Sequence, residues 1–220
     1  MATVDQDRID AIYLLYILWQ CEAFDDARKC LVKVLDRLAK AKNPNVVEAE
    51  RRTFAELQSC FTSAANISKL LWPGKPFDPK NGPEGKKRGQ RLRAMLNVQK
   101  EPVLENKKLR NRLEHIDEHL DSWATSPRDM IVNAVSDNPA INAYNPTDIF
   151  GLYNPKTYTV TVLGESVDLD QLCNAVWGVK ASAAVAFGRI HRKRYPVNTM
   201  KKTPSSVLTP KASRPRKRKR

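Results

Sequence analysis

The sequence predicts a mainly α-helical bundle of about five helices, with one β-hairpin inserted before the last helix. Three observations carry this. Residues 5–42 contain neither Pro nor Gly and are rich in Leu, Ala and Lys. Apolar residues recur at alternating steps of three and four in two later stretches, which lines one face of a helix. Only residues 148–163 concentrate β-branched and aromatic side chains.

Taken in order, residues 5–42 suit one long helix, or two that break near Phe24-Asp25. Pro44 ends that segment, and Asn45 offers a side-chain cap to the next. In the second helix Phe54, Leu57, Phe61, Ala64, Ser68 and Leu71 share a face, and Trp72-Pro73-Gly74 terminates it. "PGKPFDPKNGPEG" must be a loop, and "KKRGQRLRAMLNV" a short helix crowded with Lys86, Lys87, Arg88, Arg91 and Arg93. Pro102 suits the first turn of the helix that runs on through residues 109–123. Residues 125–146 hold three Pro and several Asn and Asp, and read as an irregular connection. "DIFGLY" and "TYTVTVLG" flank a turn at Asn154-Pro155. Ser166 or Asp168 then caps a last helix bearing Leu169, Leu172, Val176, Val179, Ala183 and Phe187. No internal repeat and no Gly-rich phosphate loop is present.

Charge narrows the function classes. Lys and Arg outnumber Asp and Glu by 38 to 24, which points to a polyanionic partner. Residues 192–220 hold twelve of the basic residues and no acid, so the first 191 residues carry only +2 of the net +14. This divides the chain into a nearly neutral domain, 1–191, and a basic, Pro- and Ser-rich tail, 192–220, expected to be disordered. Arg216, Lys217, Arg218, Lys219 and Arg220 end it. With the basic residues of the short helix, they are the candidate phosphate contacts. No aromatic interleaving marks a stacking platform, so base recognition is not legible. In a nuclear setting the same run would read as a localisation signal.

The most apolar run, "AIYLLYILW", is far shorter than the ~20 residues of a membrane span. Asp5, Asp7 and Asp10 precede it, where a signal peptide would carry basic residues. It reads as a buried helix of a cytoplasmic protein with no membrane partner. Cys21, Cys30, Cys60 and Cys173 form no C-x-x-C pair and read as buried reduced thiols.

Residues 109–123, "LRNRLEHIDEHLDSW", carry the chemistry. Leu109, Leu113, Ile116, Leu120 and Trp123 form an apolar seam, and at 100° per residue His115 and His119 lie opposite it. These histidines are therefore on the solvent side, where the bland alternative is a salt-bridged surface. His115, Glu118 and His119 spell H-x-x-E-H, in which two imidazoles converge on a zinc ion and the acid polarises a bound water. A third ligand is missing: beyond Trp123 the only glutamate is Glu165, at the expected turn into the last helix. Arg110, Asn111 and His115 spell R-N-x-x-x-H. A histidine titrating near neutrality can exchange protons with a ribose hydroxyl and a leaving oxygen. An arginine can hold two phosphate oxygens, and the following amide can orient one of them.

That motif, with the run "SCFTSAANISKLLWPG" before it, resembles the HEPN domain family over about residues 45–125. It is also similar to a group of bacterial proteins of unassigned function with the same order of helix, motif and late hairpin. The resemblance implies a metal-independent ribonuclease using Arg110, Asn111 and His115, with no cofactor and RNA as substrate; an antitoxin or other partner protein, if any, is not legible in the residues. Arg110 and His115 lie about 140° apart around one helix, so one chain cannot aim both at one phosphate. The resemblance accordingly implies a homodimer with sites shared across a two-fold axis. The rival readings are a non-catalytic nucleic-acid- or partner-binding bundle and a zinc hydrolase.

Overall fold

A computed structural model describes residues 5–42, 45–74, 82–98, 100–106, 116–125, 133–142 and 144–194. Within them the chain is mainly helical with a small four-stranded sheet. Helix α1, Gln6–Lys40, is continuous through Phe24-Asp25. Its N-terminus is capped by Asp5, whose carboxylate accepts the Arg8 N–H. Helix α2, Val46–Leu71, starts from Asn45, whose side-chain oxygen accepts the Glu48 N–H at 3.1 Å. The two run antiparallel: Cys60 Sγ donates to the Phe24 carbonyl, and Asn66, further along α2, donates to Gln20, one turn earlier in α1.

The last helix, α7, Leu169–Arg194, lies antiparallel along the opposite flank of α1. Asp168 caps it through the Gln171 N–H at 3.0 Å. Leu14, Ile17, Cys21 and Phe24 of α1 are fully buried between Leu57, Cys60 and Ile67 of α2 and Cys173, Val176 and Val179 of α7. Each large apolar side chain so buried contributes about 1.5–3 kcal/mol.

Polar groups fix how α1 and α7 meet. Trp177 Nε1 and Lys180 Nζ both donate to Asp25, at 2.7 and 2.6 Å, and Arg28 stacks 4.9 Å above the Trp177 ring. Burial by itself would raise the Asp25 carboxyl, but these two donors hold it below the usual carboxylate range. Its contribution to stability is therefore present above the ordinary carboxylate pKa and is lost as pH falls through the lowered one.

The expectation of a buried helix at α1 holds for one face. One face of "AIYLLYILW" is in the core, whereas Ile12, Tyr16 and Trp19 are 58, 39 and 57% exposed. A helix packed between two neighbours covers only the faces that they touch. The cysteines also divide. Cys21, Cys60 and Cys173 are buried, but Cys30 is exposed, because it falls on the outward side of α1. Burial pushes the Cys21 and Cys60 thiols up to about 12. An aromatic disulfide reagent should thus titrate one thiol in the native protein and four in denaturant, and Cys30→Ser should abolish the native reaction. Reaction of a second native thiol would show that the core opens.

The hairpin is present and is part of something larger. Strands β2, Gly151–Asn154, and β3, Thr159–Val162, pair antiparallel with Gly151 opposite Val162. Asn154 organises the turn by accepting the Lys156 and Thr157 N–H groups. Two further strands flank the pair. β4, Glu165–Asp168, folds back on β3 through Leu163-Gly164, both at positive φ, as a two-residue turn requires. β1, Ala134–Val135, pairs parallel with β2. Residues 125–146 are thus not wholly irregular: they hold β1 and the short helix α6, Pro139–Asn142, and lead into a 3-10 turn, Pro146–Asp148.

Helix α3, Gly82–Leu96, is followed by the single turn α4, Pro102–Glu105, and by α5, Ile116–Ala124. Pro102 does start a helix, but that helix does not run on into the motif. Asn106 donates its N–H to the Pro102 carbonyl, the last bond of that turn, and its ψ of 110° is extended backbone.

Candidate nucleic-acid interface

Arg110, Asn111 and His115 lie outside the described residues, as do Arg216, Lys217, Arg218, Lys219 and Arg220. The backbone of His119 belongs to α5; its side chain lies outside the described set. Glu118 and Asp121 are exposed on the same helix, and Leu120 is 42% exposed. Among the described side chains of the expected seam, Trp123 is the one that packs. Its ring meets Phe150 at a centroid distance of 5.4 Å and an angle of 58°. That contact ties the helix downstream of the motif to the segment entering β2. Glu165, the only glutamate beyond Trp123, stands at the start of β4 rather than in a turn.

The basic residues of α3 separate into two groups. Arg91 Nε donates to Asp10 at 2.8 Å, and Asp10, 4% exposed, also accepts from Gln6. Arg88 donates to the Lys69 carbonyl at 3.3 Å and lies 5.5 Å over the Tyr13 ring. Arg93 donates to the Leu71 carbonyl and lies 5.9 Å from the Trp72 ring centre. Both carbonyls belong to the last turn of α2, where a helix leaves acceptors without intrahelical partners and carries partial negative charge. These guanidiniums therefore complete α2 and hold α3 against it.

Gly89 makes the approach possible. A Cβ there would sit 2.7 Å from the Leu71 carbonyl oxygen and from Pro73 Cδ. Lys86 and Lys87 are exposed, and Lys87 pairs with Glu84 at 3.0 Å.

The basic tail begins later than its composition implies. α7 continues to Arg194, and its end is tied to the start of α1 by ion pairs from Lys193 to Asp7 at 2.5 Å and from Arg194 to Asp5 at 2.7 Å. Two of the twelve basic residues are thus matched by acids of the bundle. No helix among the described residues is long and apolar enough to cross a membrane. No protein-family model matches this sequence, and comparison with curated proteins and with solved structures finds no match.

Proposed function

We propose that this chain binds RNA and cleaves it without a metal ion, as a homodimer of HEPN type. The observation that carries the reading is the motif Arg110-Asn111-x-x-x-His115 in a mainly helical chain of net charge +14. The ribose 2′-oxygen attacks phosphorus while the bond from phosphorus to the 5′-oxygen breaks, leaving a cyclic phosphate. His115 exchanges the protons, taking that of the 2′-hydroxyl or returning one to the 5′-oxygen. Arg110 holds the phosphate oxygens on which charge builds, and Asn111 orients one of them. The apolar stripe of Ile12, Tyr16 and Trp19, bare on a single chain, supports a second copy as partner.

A second reading is binding without cleavage, and one experiment separates the two. Purified protein should cut RNA in excess chelator. His115→Ala should slow the reaction about 10²–10⁴-fold, while Glu118→Ala should leave most of it. Mixing Arg110→Ala with His115→Ala chains should restore part of the activity, because a heterodimer can retain one intact composite site. Cleavage that chelator stops and zinc restores would overturn the proposal in favour of the H-x-x-E-H site. Binding with no cleavage would leave the non-catalytic reading.

A further inference from the structure

The outward face of α2 opposite the sheet encloses a recess of about 260 Å³. Arg51, Phe54 and Gln58 line it from α2, spaced so that they share one side of the helix. Asn133 enters from just before β1, and Phe150 and Gly151 from the start of β2. Its volume is at the small end of ligand sites, which suits one ring system rather than a long ligand.

Gly151 shapes this recess by having no side chain. A Cβ there would lie 2.3 Å from Asn133 Oδ1 and 2.6 Å from Phe54 Cε1. The carboxamide and the phenyl ring therefore both rest against the strand at that point, which restricts how each is oriented. Phe150 is shared: it lines the recess and also carries Trp123 of α5, the helix that follows the motif. The indole Nε1 of Trp123 is buried without a hydrogen-bond partner.

The chemistry of the lining selects a class of ligand. Phenyl rings offer faces to a flat π-system. Carboxamides present a donor and an acceptor side by side, the complement of a base edge. The charged side chain of the lining is Arg51, and no carboxylate is among the lining residues. Arg51 is held at the rim by two bonds to Glu48, which Arg52 also shares.

We infer that this recess is a base-binding subsite. It takes one nucleobase of single-stranded RNA against Phe54 and Phe150, with Gln58 and Asn133 on the base edge. The inference rests on the RNA reading above for its ligand class, and it gives that reading a base preference that phosphate contacts alone cannot supply.

The test uses the full chain and the four ribonucleoside 5′-monophosphates, which have no internucleotide bond to cut, with ribose 5-phosphate as control. Calorimetry should show at least one monophosphate binding about tenfold or more tighter than ribose 5-phosphate. Gln58→Ala and Asn133→Ala should each weaken that binding several-fold and change the order of preference among the bases. Gln58 is exposed, so its variant should keep the native melting temperature. Phe54→Leu, which retains an apolar side chain but no π face, should weaken all bound bases together. Ribose 5-phosphate binding as well as the monophosphates would overturn the inference, and so would a base order unchanged by both amide variants. Base binding in a protein that cuts no RNA would uphold the subsite while the nuclease reading fell. Cleavage by a protein whose base order ignores Gln58 and Asn133 would do the reverse.

Discussion

Asp10→Ala should cost the folded state about 2–3 kcal/mol, one of the larger effects available from a single side chain in this protein. Asp10 is 4% exposed and joins two helices: its carboxylate accepts from Arg91 of α3 and from Gln6 of its own helix, on the face of α1 that meets the core. Removing one member of a buried pair leaves the other charge without compensation, which costs about 3–5 kcal/mol where both are deeply buried. The Arg91 side chain is 35% exposed, so water recovers part of that loss, and the lower figure applies. In a domain of this size the change corresponds to a fall of roughly 5–10 °C in melting temperature.

The double variant Asp10→Leu with Arg91→Met should recover much of the stability, because neither charge then has to be desolvated. Lys87→Ala, which removes the exposed pair with Glu84, should change stability by less than about 0.5 kcal/mol. Urea unfolding of the four proteins measures all of this. A loss below about 0.5 kcal/mol for Asp10→Ala would mean that α3 is held by its apolar residues, Leu92 and Leu96, without help from the ion pair.

Truncation after Arg194 should change RNA binding more than any substitution in the bundle. Residues 195–220 hold nine Lys and Arg and no acid, so their removal takes the net charge from +14 to +5. Each phosphate contact to a single strand contributes about −0.7 to the slope of log affinity against log salt. If most of the nine charges meet phosphates, the slope becomes shallower by roughly 4–6, and affinity at low salt falls by orders of magnitude. Cleavage should persist at high protein concentration, since Arg110, Asn111 and His115 remain.

Truncation after His191 adds a distinct effect. It also removes Lys193 and Arg194, whose pairs with Asp7 and Asp5 tie the end of α7 to the start of α1. The shorter chain should therefore melt a little lower than the longer one, although both lose the tail. Fluorescence anisotropy of labelled RNA against salt, with melting curves alongside, separates the two contributions. Equal slopes for full-length and truncated protein would remove the tail from the interface.

The three longest helices and their N-terminal ends are legible in local residue signals. Asp5, Asn45 and Asp168 accept N–H groups within three residues of themselves, and the 3–4 spacing of Leu57, Phe61, Ala64 and Leu71 depends only on helix geometry. Such signals are local, so they are readable without knowing any neighbour. The R-N-x-x-x-H motif was legible in the same way, as residue types at a spacing. Strand β1 was missed because it is two residues long and pairs with a strand further along the chain, and β4 because Glu165 and Asp168 are types depleted in strands. The tertiary structure also decided what each charge and ring does. On a helical wheel Arg88, Arg91 and Arg93 look like Lys86 and Lys87. Only the close crossing at Gly89 brings them to Asp10 and to the final carbonyls of α2. Phe54 and Gln58 are neighbours by helix periodicity, but Asn133 and Phe150 join them through the sheet. A hydrogen bond or a recess needs groups within a few ångströms in space, and chain separation says nothing about that until the fold has closed.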